Sequence, residues 1–159
     1  MANTIGIPKN AVIVKVNEAD PNVTMTANTP STPTPIFTLT IPLGVERYLV
    51  TGTKFRMKLI DSGGDDIPRT SVIYLAYKRP VDDIPVTFFK FSYAPYYSLS
   101  LAEQLDESAY SQQLRVALPQ VFYRFRQQTQ LIMLLNSSIA IVPASSTVEF
   151  NLYEVPVAV

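Results

Sequence analysis

An all-β sandwich is the fold this sequence predicts, and three observations carry the prediction. Residues Thr53 to Ile60 read T-K-F-R-M-K-L-I, so that apolar Phe55, Met57 and Leu59 alternate with cationic Lys54, Arg56 and Lys58. Side chains of a strand point to opposite faces with a period of two, which sends the first set into a core and shows the second to water or a partner. Several other short runs repeat this alternating or continuously apolar style, separated by Pro, Gly, Asn and Ser turns. Only one stretch, Ala94 to Leu118, departs toward helical spacing.

The chain in order begins with Ala11 to Val16, A-V-I-V-K-V, a β-branched first strand that can pair with its own domain or with a neighbour. Residues 18 to 35 follow, with Pro30, Pro33 and Pro35 closely spaced. They read either as a surface loop or as a semi-rigid spacer that lets residues 1 to 17 reach another subunit. The division expected is therefore an N-terminal strand and Pro/Thr-rich arm over 1–35 and a β-sandwich domain over 36–159.

From Ile36 the strands come quickly. Phe37, Leu39 and Ile41 alternate with threonines, Pro42-Leu43-Gly44 breaks the run, and Tyr48-Leu49-Val50 precedes the cationic strand. Asp61 to Asp66 is turn chemistry, because Gly63 and Gly64 supply positive φ and Asp bonds its own backbone. A hairpin from Thr53–Ile60 to Ser71–Lys78 is expected there, with Ile73, Leu75 and Tyr77 on one face. Pro80 and Pro85 bracket a second turn before the aromatic strand Val86 to Tyr93, whose Phe89, Phe91 and Tyr93 share a face.

Ser100-Leu-Ala-Glu103 is a capping box, and it predicts a short helix from about Leu101 to Asp106 inside a long connection. Four runs end the chain: Val121 to Arg126, Thr129 to Leu135, Ser138 to Val142 and Thr147 to Tyr153. After them the uncharged tail Val155 to Val159 is expected to pack on this subunit or the next.

Composition restricts function. Cys and His are absent, which excludes disulfides, Cys/His zinc sites, thiol nucleophiles and imidazole bases. Charged residues are 16% of the chain against roughly 25% in an average domain, and thirteen basic residues balance thirteen acidic ones. A surface so lightly charged suits contact with other protein, and nucleic acid is not an expected partner. No run approaches the roughly 20 apolar residues of a membrane span, and no signal peptide is expected. Gly64-Asp65-Asp66 resembles the metal-binding turn of viral RNA polymerases over three residues only, and the ordinary acidic turn is the preferred reading. Neither a catalytic constellation nor a cofactor motif is present, so no enzyme, metal or cofactor is expected.

Two surfaces are candidates for binding. Lys54, Arg56 and Lys58 form a basic strip, to which Arg124 and Arg126 would add if their strand were adjacent. Tyr93, Tyr96 and Tyr97 form an aromatic group suited to a protein interface or a sugar platform, with core packing as the plain alternative.

Eight or more short strands, a long excursion with a small helix, an N-terminal arm and an apolar tail together resemble small jelly-roll proteins of virus particles, and bacteriophage capsid, cement and decoration proteins among them. The resemblance is one of architecture. It implies a structural virion protein, assembled in the host cytoplasm, that stabilises a particle through contacts with itself, as a homotrimer, and with a major capsid protein. A carbohydrate-binding β-sandwich using the tyrosine platform is the alternative.

Overall fold

The computed structural model of the protein describes residues 7–50, 52–93 and 121–159. Ten strands are present among them: β1 (Val12–Asn17), β2 (Val23–Met25), β3 (Thr34–Thr40), β4 (Val45–Val50), β5 (Arg56–Lys58), β6 (Val72–Lys78), β7 (Val86–Ser92), β8 (Val121–Phe125), β9 (Gln130–Asn136) and β10 (Thr147–Pro156). The short helix expected near Leu101 to Asp106 lies outside the described residues.

The strands form two antiparallel sheets. One has the order β1-β10-β4-β8, with β5 also paired to β10; the other has the order β2-β3-β9-β6-β7. Four antiparallel pairs nest inside one another along the chain: β1 with β10, β3 with β9, β4 with β8, and β6 with β7. A long antiparallel ribbon rolled so that alternate pairs fall into opposite sheets gives this arrangement, the jelly roll. The lateral pairings β10 with β4 and β9 with β6 close the roll.

Buried side chains from both inner faces fill the space between the sheets. Phe150 on β10 meets Phe37 of the opposite sheet at 5.7 Å and Phe55 at 4.8 Å, and Phe55 reaches Phe91 of β7 at 5.9 Å. Phe55, Met57 and Leu59 are buried while Lys54 and Arg56 are exposed, as a period of two requires.

Two local expectations are corrected. The cationic strand does not form a hairpin with Ser71–Lys78, because β5 pairs with β10 and β6 lies in the other sheet. Gly64, at φ +85°, does close a tight turn, where the Asp61 N–H donates to the Asp65 carbonyl and the Ile67 N–H to the Leu59 carbonyl. Pro68 then has no N–H to extend the ladder, and a turn at Pro68–Ser71 sends the chain across the sandwich. Ser138 to Val142 is likewise not a strand. Its polar groups are met by the Asn28 side chain, which donates to the Ile139 carbonyl and accepts from the Ile141 N–H, while the Val142 N–H donates to the Ile60 carbonyl.

Residues 12–17, which the sequence leaves free to pair with their own domain or with a neighbour, take the first course. They form an edge strand of the sandwich itself, with Val16 fully buried. The tail also stays on its own subunit: Val155 is buried opposite Glu46, the Val157 N–H donates to the Gly44 carbonyl, and Gln127 Nε2 donates to the Ala158 carbonyl.

Candidate interaction surfaces

The cationic side chains sit on the outer face of the first sheet. In register, Arg56 lies opposite Glu149 and Lys58 opposite Thr147. Lys15 on β1 approaches the same Glu149 at 3.6 Å, which makes the strip a basic field with one carboxylate inside it. Between β4 and β5 the chain leaves the ladder, and Thr53 Oγ1 donates to the Asn151 carbonyl there. That departure opens a hollow of about 300 Å³ among Ile13, Val50, Thr53, Lys54, Asn151 and Tyr153. Arg124 and Arg126 do not extend the strip, because β8 pairs with β4 and not with β5. The Arg124 guanidinium instead grips Glu46 in a fork, with bonds of 2.9 and 3.0 Å.

The tyrosine platform is corrected at its first member. Tyr93 is 1% exposed, and its hydroxyl accepts from the Leu59 N–H at 2.9 Å and bonds the Asp66 carboxylate at 3.1 Å, so it tethers β7's end to the strand across the core. An aromatic residue that continues the Phe89, Phe91 face has to enter the core, and its hydroxyl finds partners there. Tyr96 and Tyr97 lie outside the described residues. The acidic turn is occupied by its own fold: Asp61 Oδ1 accepts from the N–H groups of Gly63 and Asp65, and Asp66 holds Tyr93. Among the described residues no group of three or more carboxylates converges on a metal position.

A surface that sequence reasoning missed lies at one end of the sandwich. Thr40, Gln130 and Lys78 lie side by side in the second sheet, so the β3–β4, β6–β7 and β8–β9 connections all emerge at this end. The Val157 and Gly44 backbones meet there too, as do the start of β1 and the end of β10. Leu43, Val81, Ile84, Val86 and Val159 are exposed on it, and Val12 and Ile13 adjoin it; of the eight exposed large hydrophobic residues described, only Ile139 is elsewhere. The signal in the sequence was V-D-D-I between Pro80 and Pro85, two aliphatic residues inside a turn that cannot bury them.

Some charges at this end are paired within the subunit, while Asp83 and Arg126 are exposed and in no ion pair among the described residues. Arg79 binds Asp82 through two nitrogens at 2.9 and 3.0 Å, which holds the Asp82 carboxyl down at about 2 and raises the guanidinium. Arg47 donates to Glu154 at 3.0 Å, and Arg124 is paired with Glu46. Aromatic packing backs the β6–β7 loop: Tyr123 lies 5.0 Å from Tyr77 and 4.7 Å from Phe88, and Arg79 sits 6.0 Å above the Tyr77 ring. Burial, with the Tyr77 hydroxyl beside it, pushes the Tyr123 phenol up to about 12. Burial also raises Tyr48, against the opposing pull of Arg124.

Comparison with known proteins adds three findings. A model of the family described as "Major capsid protein VP16-like" matches residues 35–153. Among solved structures, VP17, a capsid protein of bacteriophage P23-77, aligns with 94% of this chain and 98% of its own at 7% identity and a TM-score of 0.42. No curated protein matches the sequence.

Proposed function

The chain belongs to the VP16-like major capsid protein family, and on that premise we propose that it is a shell-forming subunit, in preference to a cement or decoration protein seated on a shell made by another chain. Membership makes it a structural protein of a virus particle. The observation that carries the finer reading is the family match over residues 35–153, which takes in the sandwich from β3 into β10. Three physical features support it. The chain carries few charges, its β1 edge is unpaired on one side among the described residues, and aliphatic side chains crowd one end of the sandwich. In this reading copies contact one another and other virion subunits, the homotrimer being the form expected from the sequence.

Copy number distinguishes shell from cement. Quantitative mass spectrometry of purified particles should find this chain among the most abundant proteins, and washing at high salt should not strip it from intact particles. A chain that washes off and leaves a closed shell behind is a decoration protein, and the proposal then fails.

A further inference from the structure

We propose that the hollow on the outer face of the first sheet is a socket for the β6–β7 tip of a second copy, so that subunits join head to tail. The hollow, of about 300 Å³, is lined by apolar Ile13, Val50 and Tyr153 and by polar Thr53, Lys54 and Asn151. Ile13 lies opposite Tyr153 on the side of β1 turned away from the core, and it is 60% exposed. Lys54 and, two residues on, Arg56 are exposed and in no ion pair among the described residues. The hollow is thus a concave surface with aliphatic and aromatic walls and an unpaired positive charge. Its occupant should be convex, aliphatic and negatively charged.

The chain carries that surface itself. Val81 and Ile84 are 80% and 71% exposed in the β6–β7 turn, with Asp83 exposed between them. Asp82 is held by the Arg79 guanidinium, which leaves Asp83 as the unpaired charge of residues 81–84. The turn is braced from below, since the Arg79 N–H donates to the Asp82 carboxylate and the Asp82 N–H to the Arg79 carbonyl, and a rigid tip loses little conformational freedom on binding. Seated in the hollow, the tip sets its aliphatic side chains against Ile13 and Tyr153 and Asp83 beside Lys54. Other seats for the tip fit worse. Its own image would put Asp83 against Asp83, the turn at Asp61, Asp65 and Asp66 repels it, and a bilayer would bury its carboxylate unpaired. Because tip and hollow are different surfaces of one chain, the contact is heterologous and can close into a ring such as the trimer expected from the sequence.

The absence of cysteine makes the test direct. In a head-to-tail contact the two positions that meet are different residues, so Ile84→Cys protein mixed with Asn151→Cys protein should give disulfide-linked dimers under mild oxidation, while either protein alone gives few. Charge exchange is the second arm. Asp83→Lys or Lys54→Asp alone sets like charges together and should weaken self-association by roughly tenfold or more in sedimentation, and the double variant D83K/K54D should recover it, all three keeping the parent's β spectrum. The proposal is overturned if the mixture cross-links no better than Asn151→Cys mixed with Ser62→Cys, from the acidic turn. It is overturned equally if Ile84→Cys alone dimerises as readily as the mixture, which would set the tip on its own image. A double variant as weak as the single ones also overturns it, and leaves the hollow to another virion chain or a different ligand. This contact deepens the reading of a shell-forming subunit and rests on it for its use in the particle, but cross-linking of purified protein succeeds or fails whatever the copy number in virions.

Discussion

Phe55→Ala removes one of the aromatic side chains that join the two sheets. Phe55 is 2% exposed, immediately before β5, and its ring lies 4.8 Å from Phe150 of its own sheet and 5.9 Å from Phe91 of the facing one. Truncating a buried Phe to Ala costs about 3 to 5 kcal/mol, part from lost transfer of apolar surface and part from the cavity left behind. Each lost ring contact adds about 0.5 to 1.5 kcal/mol beyond area, which places the expected loss toward the upper part of that range. The cavity cannot collapse cheaply, because Phe37 and Phe150 are themselves pinned at 5.7 Å by strands in both sheets. Urea unfolding followed by circular dichroism measures it: the midpoint should fall with the slope unchanged. Lys54→Ala, on the exposed side of the same strand, is the control and should shift stability by less than about 0.5 kcal/mol. A Phe55→Ala loss under about 1 kcal/mol would refute the placement of this strand over the core, since no fully packed Phe is that cheap to remove.

Other perturbations test separate parts of the account. Glu154→Ala strands the Arg47 guanidinium, whose side chain is 9% exposed and whose Nη1 already lacks a partner among the described residues, and should cost about 3 kcal/mol by the same urea assay. Tyr93→Phe leaves the buried Leu59 N–H without its acceptor and should cost about 1 to 3 kcal/mol; a neutral result would return Tyr93 to the list of surface residues. Asn28→Ala removes both bonds that hold 139–141, and amide exchange at Ile141 should rise well above that of β9. Asp82 has its folded pKa lowered from 3.8 to about 2 by hydrogen bonds from Arg79, so the pair's contribution is complete above the ordinary carboxylate value and is lost as pH falls through about 2. A carboxyl NMR titration that finds Asp82 at its ordinary value would break the Arg79 clamp.

Much of the fold was legible because alternation reports which face of a strand is buried. Phe55, Met57 and Leu59 on one side, and Phe89, Phe91 and Tyr93 on another, are inside as their period demands. Alternation does not report the neighbour. Thr53–Ile60 and Ser71–Lys78 are joined by good turn residues, yet the partner of β5 is β10, remote in sequence, and the deciding residue was Pro68. The nested pairs, such as Val12 with Glu154, have no local signature for the same reason. Ser138 to Val142 has strand-like residues, but a distant side chain, Asn28, takes the Ile139 carbonyl and the Ile141 N–H that a ladder would have used. Among the binding candidates, residue type misled at Tyr93, since a tyrosine with one hydroxyl to satisfy suits a core as well as an interface. Lys54 and Arg56 are exposed as expected, and the aliphatic tips at Val81 and Ile84 escaped notice because a turn reading draws the eye to prolines and aspartates.

The central claim, that this chain builds the shell, is tested most directly by a cryo-electron microscopy map of the purified particle at side-chain resolution. The repeating unit of the shell should trace as this sequence, with β1-β10-β4-β8 in one sheet and β3-β9-β6-β7 in the other, and with Phe55 beneath Phe150. A shell traced by a different chain, with this one attached to its outside or confined to a vertex or tail, would contradict the account.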